Sequence, residues 1–201
     1  MKSHLLSVIC AGAVLTSSAA YAVTTIDFDS LSAGEIVTVL EGVTFSSNTG
    51  LDLVVSDQFD TTSGANYLGV DDGGFEVLFP GDIVTLDFAT PVTSLTVHFI
   101  SSPLTPGSAF EISTLVGSAA SGATPDIILG DGGEVFPVNF TSVEAFASAE
   151  LLSPGAGLYS YNIDDISFTV VPLPTAMWLF ASGLMVLGHS FRRHGNWKTV
   201  R

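Results

Sequence analysis

Between residues 23 and 170 apolar side chains recur at every second position or in short β-branched and aromatic runs, the pattern of strands half-buried on one face. The runs are TTIDFDSL (Thr24 to Leu31), IVTVL, GVTFSS, LDLVVSD, FEVLF, IVTLDFA, SLTVHFI, FEIST, VFPVNF, EAFASAEL and YNIDDISFTV (Tyr161 to Val170). Clusters of turn formers separate them: SNTG, TTSGAN, DDGG, PGD, SSPLTPG, SGATP, DGG and SPGAG. Lysine, arginine and glutamine, which build helix surfaces, are scarce or missing in this stretch. Only VEAFASAELL, Val143 to Leu152, fits a helical period as well as a strand, and the Ala and Ser flanking Phe146 place it with the strands. About ten strands spaced by such turns predict one all-β domain over 23–170, an antiparallel β-sandwich that is jelly-roll-like.

Charge is segregated along the chain. All 20 Asp and Glu lie between Asp27 and Asp165, whereas the five basic residues are Lys2, Arg192, Arg193, Lys198 and Arg201. The body therefore carries a formal charge of −20, against −15 for the whole chain. Binding nucleic acid requires cationic groups that release counterions, so nucleic acid is excluded as a partner of the body. Adhesion to anionic lipid through a basic patch is excluded likewise. Cations, or a neutral or cationic sugar polymer, are the partners this surface attracts.

Both ends read as sorting signals. MKSHLLSVICAGAVLTSSAAYA has Lys2 as a basic start, an apolar stretch from Leu5 to Leu15, and Ala20-Tyr21-Ala22 as a small-x-small cleavage site, giving a signal peptide over 1–22. Its Cys10 is the chain's one cysteine, so a mature body has neither a disulfide nor a thiol nucleophile. At the other end, Thr175 to Phe191 carries no Asp, Glu, Lys or Arg; counted from Pro172 it approaches the roughly 20 residues of a spanning helix. Arg192, Arg193 and Lys198 follow, which puts the C-terminus in the cytoplasm and the body outside.

A proline-containing motif, an apolar helix and a basic cluster, here Pro172-Leu173-Pro174, 175–191 and Arg192 with Arg193 in 192–201, resemble the tail of the bacterial PEP-CTERM proteins. Leu173 stands where the family name has glutamate, and Val171 to Pro174 matches the VPLP-type variant of the motif. The resemblance implies export through signal peptidase and the export machinery, transient anchoring of the 171–201 tail in the inner membrane, and cleavage near Pro174 by exosortase. It further implies delivery to the cell surface or an extracellular, biofilm-type exopolysaccharide matrix.

Catalytic chemistry has little to draw on. His98 is the body's one histidine; on an alternating strand it shares a face with Thr96 and Ile100 and is expected to face solvent. A lone histidine without cysteine makes no zinc site, and no G-x-S-x-G elbow occurs. Paired carboxylates are plentiful, but no Lys or Arg stands by to orient a substrate, so the expectation is a protein that is not an enzyme.

Calcium takes six to eight hard oxygen ligands and suits this composition better. Asp27 and Asp29 near the start of the sandwich, with Asn162, Asp164 and Asp165 near its end, would converge if the first and last strands are neighbours. Alternation turns Asp164 inward with Ile166 and Phe168, which is costly unless the carboxylate is paired or metal-bound. YNIDDISF also resembles the last strand of jelly-roll carbohydrate-binding modules, where such an aspartate ligates structural calcium. For a sugar, the aromatic candidates are Tyr67, Tyr159 and Tyr161, with Asn66 and Asp71 near the first, since both tryptophans lie in the tail. The echo between LGVDDGGFEVLFP (Leu68 to Pro80) and LGDGGEVFP (Leu129 to Pro137) reads as shared turn chemistry. The leading reading is thus a surface or matrix protein with a structural or adhesive role toward exopolysaccharide, possible calcium dependence included. The alternative is a carbohydrate-binding module with a defined sugar specificity, and a secreted glycosidase ranks third.

Overall fold

Two long strands hold the domain together. In the computed structural model, which describes residues 22–101, 109–130, 132–155 and 159–171, β6 (Ile83–Ser101) and β10 (Glu134–Leu152) pair antiparallel along most of their length. Register shifts between Thr141 and Phe146 and again before Ser148 break the ladder, and Pro91, which has no N–H to give to it, lies in the gap between paired Asp87 and Val92. The two strands therefore bend together, and each half enters a different layer.

One layer is built on the first half of β6 and the second half of β10. Beside β6 lie β3 (Val43–Ser47) and β2 (Val39–Leu40); beside β10 lie β7 (Glu111–Thr114) and β8 (Gly117–Ala120). The other halves carry β11 (Tyr161–Val170), β5 (Tyr67–Val70), β4 (Leu53–Ser56) and the short β9 (Ile127–Ile128). The far edge of β11 is shared: Ile163 meets Leu68 of β5, while Ile166 to Thr169 meet β1 (Val23–Ile26). Every pairing is antiparallel, and no helix occurs among the described residues.

The layers close on one apolar core. Phe88 of β6 packs against Phe168 of β11 with ring centroids 5.2 Å apart, and Phe28 meets Phe45 of β3 at 6.2 Å. Phe99 stacks on Phe110 at 4.8 Å, and Phe110 also touches Phe136 and Tyr161. Alternation is visible in β3, where Val43 and Phe45 are buried and the threonine and serine between and after them are exposed.

The expected all-β antiparallel sandwich is what forms, with three differences in detail. IVTLDFA and SLTVHFI are two ends of one strand, as are VFPVNF and EAFASAEL, because each pair is continuous through its bend. FEVLF is not a strand: Glu76 takes a left-handed φ of 50°, and only Leu78 makes a bridge, to Tyr161. β5, β8 and β9 were not expected; they are short, and β8 (GSAA) has no β-branched or aromatic side chain to mark it. The signal-peptide residues 1–21, Ala20 among them, and the sorting tail 172–201 lie outside the described residues; Ala22 is exposed ahead of β1.

Phe99 is fully buried and Leu115, at the tip of the β7–β8 turn, fully exposed. Phe99→Ala should cost about 3–5 kcal/mol in chemical denaturation, and Leu115→Ala should stay within about 0.5 kcal/mol of wild type.

Candidate functional site

The connection from β4 to β5, Asp57 to Asn66, is held down by three carboxylates from two other elements. Two come from β11. Its register against β6 shifts between Asp164 and Ser167, and Asp165 sits in the left-handed region at φ 46°, so a bulge interrupts the alternation. Consecutive aspartates then reach the same loop. Asp164, with no exposed surface, accepts from the backbone N–H of Thr62 (2.8 Å) and of Ser63 (3.2 Å) on Oδ2, and from the N–H of Asp165 (2.8 Å) on Oδ1. Asp165 accepts from Ser63 Oγ at 2.7 Å.

The third carboxylate is Asp29, just beyond β1. It accepts from the N–H groups of Ala65 (2.8 Å) and Asn66 (3.2 Å), while Asn66 Nδ2 donates back to Leu31 O at 3.0 Å. Gly64, with φ +49°, is required between them: a Cβ there would lie 1.7 Å from Asp29 Oδ2.

Thr62 Oγ1 lies 2.9 Å from Asp164 Oδ2 and 2.7 Å from Asp165 Oδ2, and its single hydrogen can serve only one of them. Burial first, then the charge of Asp165, push the Asp164 pKa up to about 6, with the Thr62, Ser63 and Asp165 hydrogen bonds acting in the opposite direction. His98 is half-buried at the rim of this cluster, its Nδ1 3.3 Å from Thr62 Oγ1 and 3.5 Å from Asp165 Oδ2. The solvent-facing placement expected for His98 is thereby corrected: the β4–β5 loop folds over that face of the sheet.

The five expected calcium ligands do not form one ligand set. Asp29 grips one end of the loop and Asp164 with Asp165 the other, and both oxygens of Asp164 already accept backbone N–H groups. Asp27 is exposed and accepts from the N–H of Asp29; Asn162 is buried, its Oδ1 without a hydrogen-bond partner. Among the described residues no three acidic or histidine side chains come together to hold a metal ion. The inward turn of Asp164 was expected; what offsets its desolvation is a set of neutral donors from a loop remote in sequence.

The tyrosines named as sugar platforms are in the core, which corrects that expectation. Tyr67 and Tyr161 have at most 1% of their surface exposed and Tyr159 5%. Tyr159 Oη is hydrogen-bonded to Ser153 Oγ, and Tyr161 Oη donates to Asp82 O at 3.1 Å. Asn66 is spent on the loop tether, and Asp71 accepts from the N–H of Gly73 within its own turn. Among the described residues the phenylalanine rings that face solvent are those of Phe79, 45% exposed, and of Phe59 and Phe75, 42% and 65% exposed with centroids 6.5 Å apart. Sequence reasoning passed over Phe59, which follows turn residues in SDQF, and placed Phe75 at the head of the FEVLF run, which does not form a strand.

Neither the models of protein families nor the curated proteins contain a match to this chain. Among solved structures, the K2 cleaved adhesin domain of Lys-gingipain (Kgp) aligns with a TM-score of 0.50 over 75% of this chain and 99% of that domain, at 13% identity. The chain shares that domain's fold. At this identity the likeness concerns the architecture of the β-sandwich and leaves the side chains of the loop cluster to be judged on their own geometry.

The buried Asp164 makes stability depend on pH with a definite sign. Its carboxyl binds a proton more tightly folded than unfolded, so its contribution is fully present below pH 3.8 and is lost as the pH rises through about 6. Across that window it amounts to about 3 kcal/mol. Asp164→Asn should flatten the stability-versus-pH curve by this amount between pH 4 and 7 in urea titrations; an unchanged slope would assign the titration elsewhere.

Proposed function

We propose that this chain is an exported surface or matrix protein, sorted by exosortase through its 171–201 tail, whose acidic β-sandwich has a structural or adhesive role toward exopolysaccharide and no catalytic one. The observation that carries the reading is the charge: twenty carboxylates and no lysine or arginine between the two terminal signals. Such a surface repels nucleic acid, anionic lipid and its own copies, and attracts cations and polymers that bring them. The fold shared with an adhesin domain supports an adhesive surface role.

Divalent cations enter this reading between molecules. Calcium would be held by exposed carboxylates of neighbouring chains and polymer, since Asp29, Asp164 and Asp165 are engaged within the fold. A carbohydrate-binding module with one preferred sugar is the second reading, favoured by the exposed ring pair of Phe59 and Phe75.

Co-sedimentation of the full-length chain with the producing organism's own exopolysaccharide, in Ca²⁺ and again in EDTA, separates the readings. Association that falls at least tenfold in EDTA and ignores simple sugars is expected for a cation-bridged matrix protein, and displacement by one sugar would replace it with the module. Sorting is read independently: mass spectrometry of the mature protein should find a C-terminus near Pro174, and a mature chain still carrying Arg192 and Arg193 would refute processing of the tail.

A further inference from the structure

We propose that Phe59 and Phe75 form the platform on which the domain takes the glycan, and that the glycan class is a hexosamine polymer bearing free amino groups. The proposal rests on the exopolysaccharide reading above and assigns it a site and a ligand class. The rings lie on two different connections, Phe59 between β4 and β5 and Phe75 after β5, with planes tilted 36° to one another. Beneath them is the core: Phe59 packs on the buried Tyr67 with centroids 6.3 Å apart. Outward-facing aromatic area anchored in this way offers the flat apolar face that the C–H side of a pyranose covers, with polar groups at the edge fixing orientation.

The edge is built, and the charge it carries is negative. Gln58 Nε2 donates to Glu76 Oε2 at 3.3 Å, so the amide just before Phe59 and the carboxylate just after Phe75 stand together. Burial pushes the Tyr67 hydroxyl beneath the rings up to about 12, and the charges of Glu76 and Asp57 act in the same direction. An ammonium group on a bound sugar would meet both a carboxylate and aromatic faces, interactions that strengthen each other in partly desolvated surroundings. A uronic acid polymer would meet only repulsion, and a neutral glucan would leave the carboxylates unused.

Backbone geometry fixes the arrangement. Asp72 Oδ1 accepts from the N–H groups of Gly74 (2.9 Å) and Phe75 (3.0 Å), which locks the turn that presents Phe75. Glu76 then occupies the left-handed region at φ 50°, unusual for a residue with a long side chain. Its carbonyl is pressed onto β5 at Gly69, where any Cβ would lie 1.8 Å from Glu76 O. A glycine inside a four-residue strand weakens that strand; here it lets the Glu76 segment approach closely enough to hold Phe75 beside Phe59.

The test is retention of the full-length chain on beads of chitosan, chitin and cellulose at physiological salt, with competition by glucosamine oligomers. Wild type is expected to prefer chitosan at least tenfold. The Phe59→Ala, Phe75→Ala double variant should lose at least tenfold in apparent affinity while keeping the far-UV circular dichroism of folded wild type at the assay temperature. Glu76→Gln should lose several-fold, and Glu144→Gln, an exposed acid at the bend of β10, less than twofold. A double variant that binds chitosan as wild type does would overturn the platform and assign binding to diffuse charge, leaving the matrix reading intact. Equal retention on cellulose would overturn the amino-sugar class. Failure of the matrix reading itself is visible separately, as absence of co-sedimentation with the native polymer.

Discussion

A domain with twenty carboxylates and no lysine or arginine has to satisfy its acids with neutral donors, and the loops of this sandwich are shaped by that constraint. Asp29, Asp72, Asp82 and Asp164 each accept backbone N–H groups that a turn would otherwise leave to water. Charge-assisted hydrogen bonds of this kind are stronger than neutral ones, and they order connections that carry little apolar surface of their own. The acids thus serve twice, as the source of the negative field and as the local scaffold of the rim. The β4–β5 loop shows it most fully, with Asp29 at one end and the β11 pair at the other.

Much of the fold is legible along the sequence. Period-two alternation marks Val43 to Ser47 and Tyr161 to Val170 within a residue or so of their observed limits. The strand reading of Phe146 holds because Phe146 packs between Phe88 and Phe140 on the inner face. What alternation cannot show is a bend: a strand that turns a corner loses its period for a few residues and reads as two strands, which is the fate of β6 and β10. Nor can it show strands whose sides are both covered. Tyr67 to Val70 are all buried, one face by the core and the other by neighbouring loops.

The site was legible in part. Asp164 announces itself as an inward carboxylate, and its need for a partner follows from burial alone. The partner proved to be Thr62 and Ser63, about a hundred positions away, in a cluster that sequence can identify only as a turn. The tyrosines misled for a related reason: Tyr67 and Tyr161 lie on strands covered on both faces and Tyr159 is buried just ahead of β11, whereas Phe59 and Phe75 lie on connections and stay outside. The two DGG turns likewise share chemistry and differ in task. One presents Phe75, and the other, with Gly132 at φ 100°, links β9 to β10.

The antiparallel pairing of β1 with β11 has a mechanical consequence. Val23 is the register partner of Thr169, so the first and last strands leave the sandwich side by side, while the Asp164 bulge and the loop it grips lie farther along β11. A pull entering at Val170 and resisted at that loop runs lengthwise down β11. The hydrogen bonds to β1 and β6 on its two sides then share the load in shear rather than opening one after another. Because β6 belongs to both layers through its bend, the load passes into the whole sandwich, and tension is met by the domain as one body.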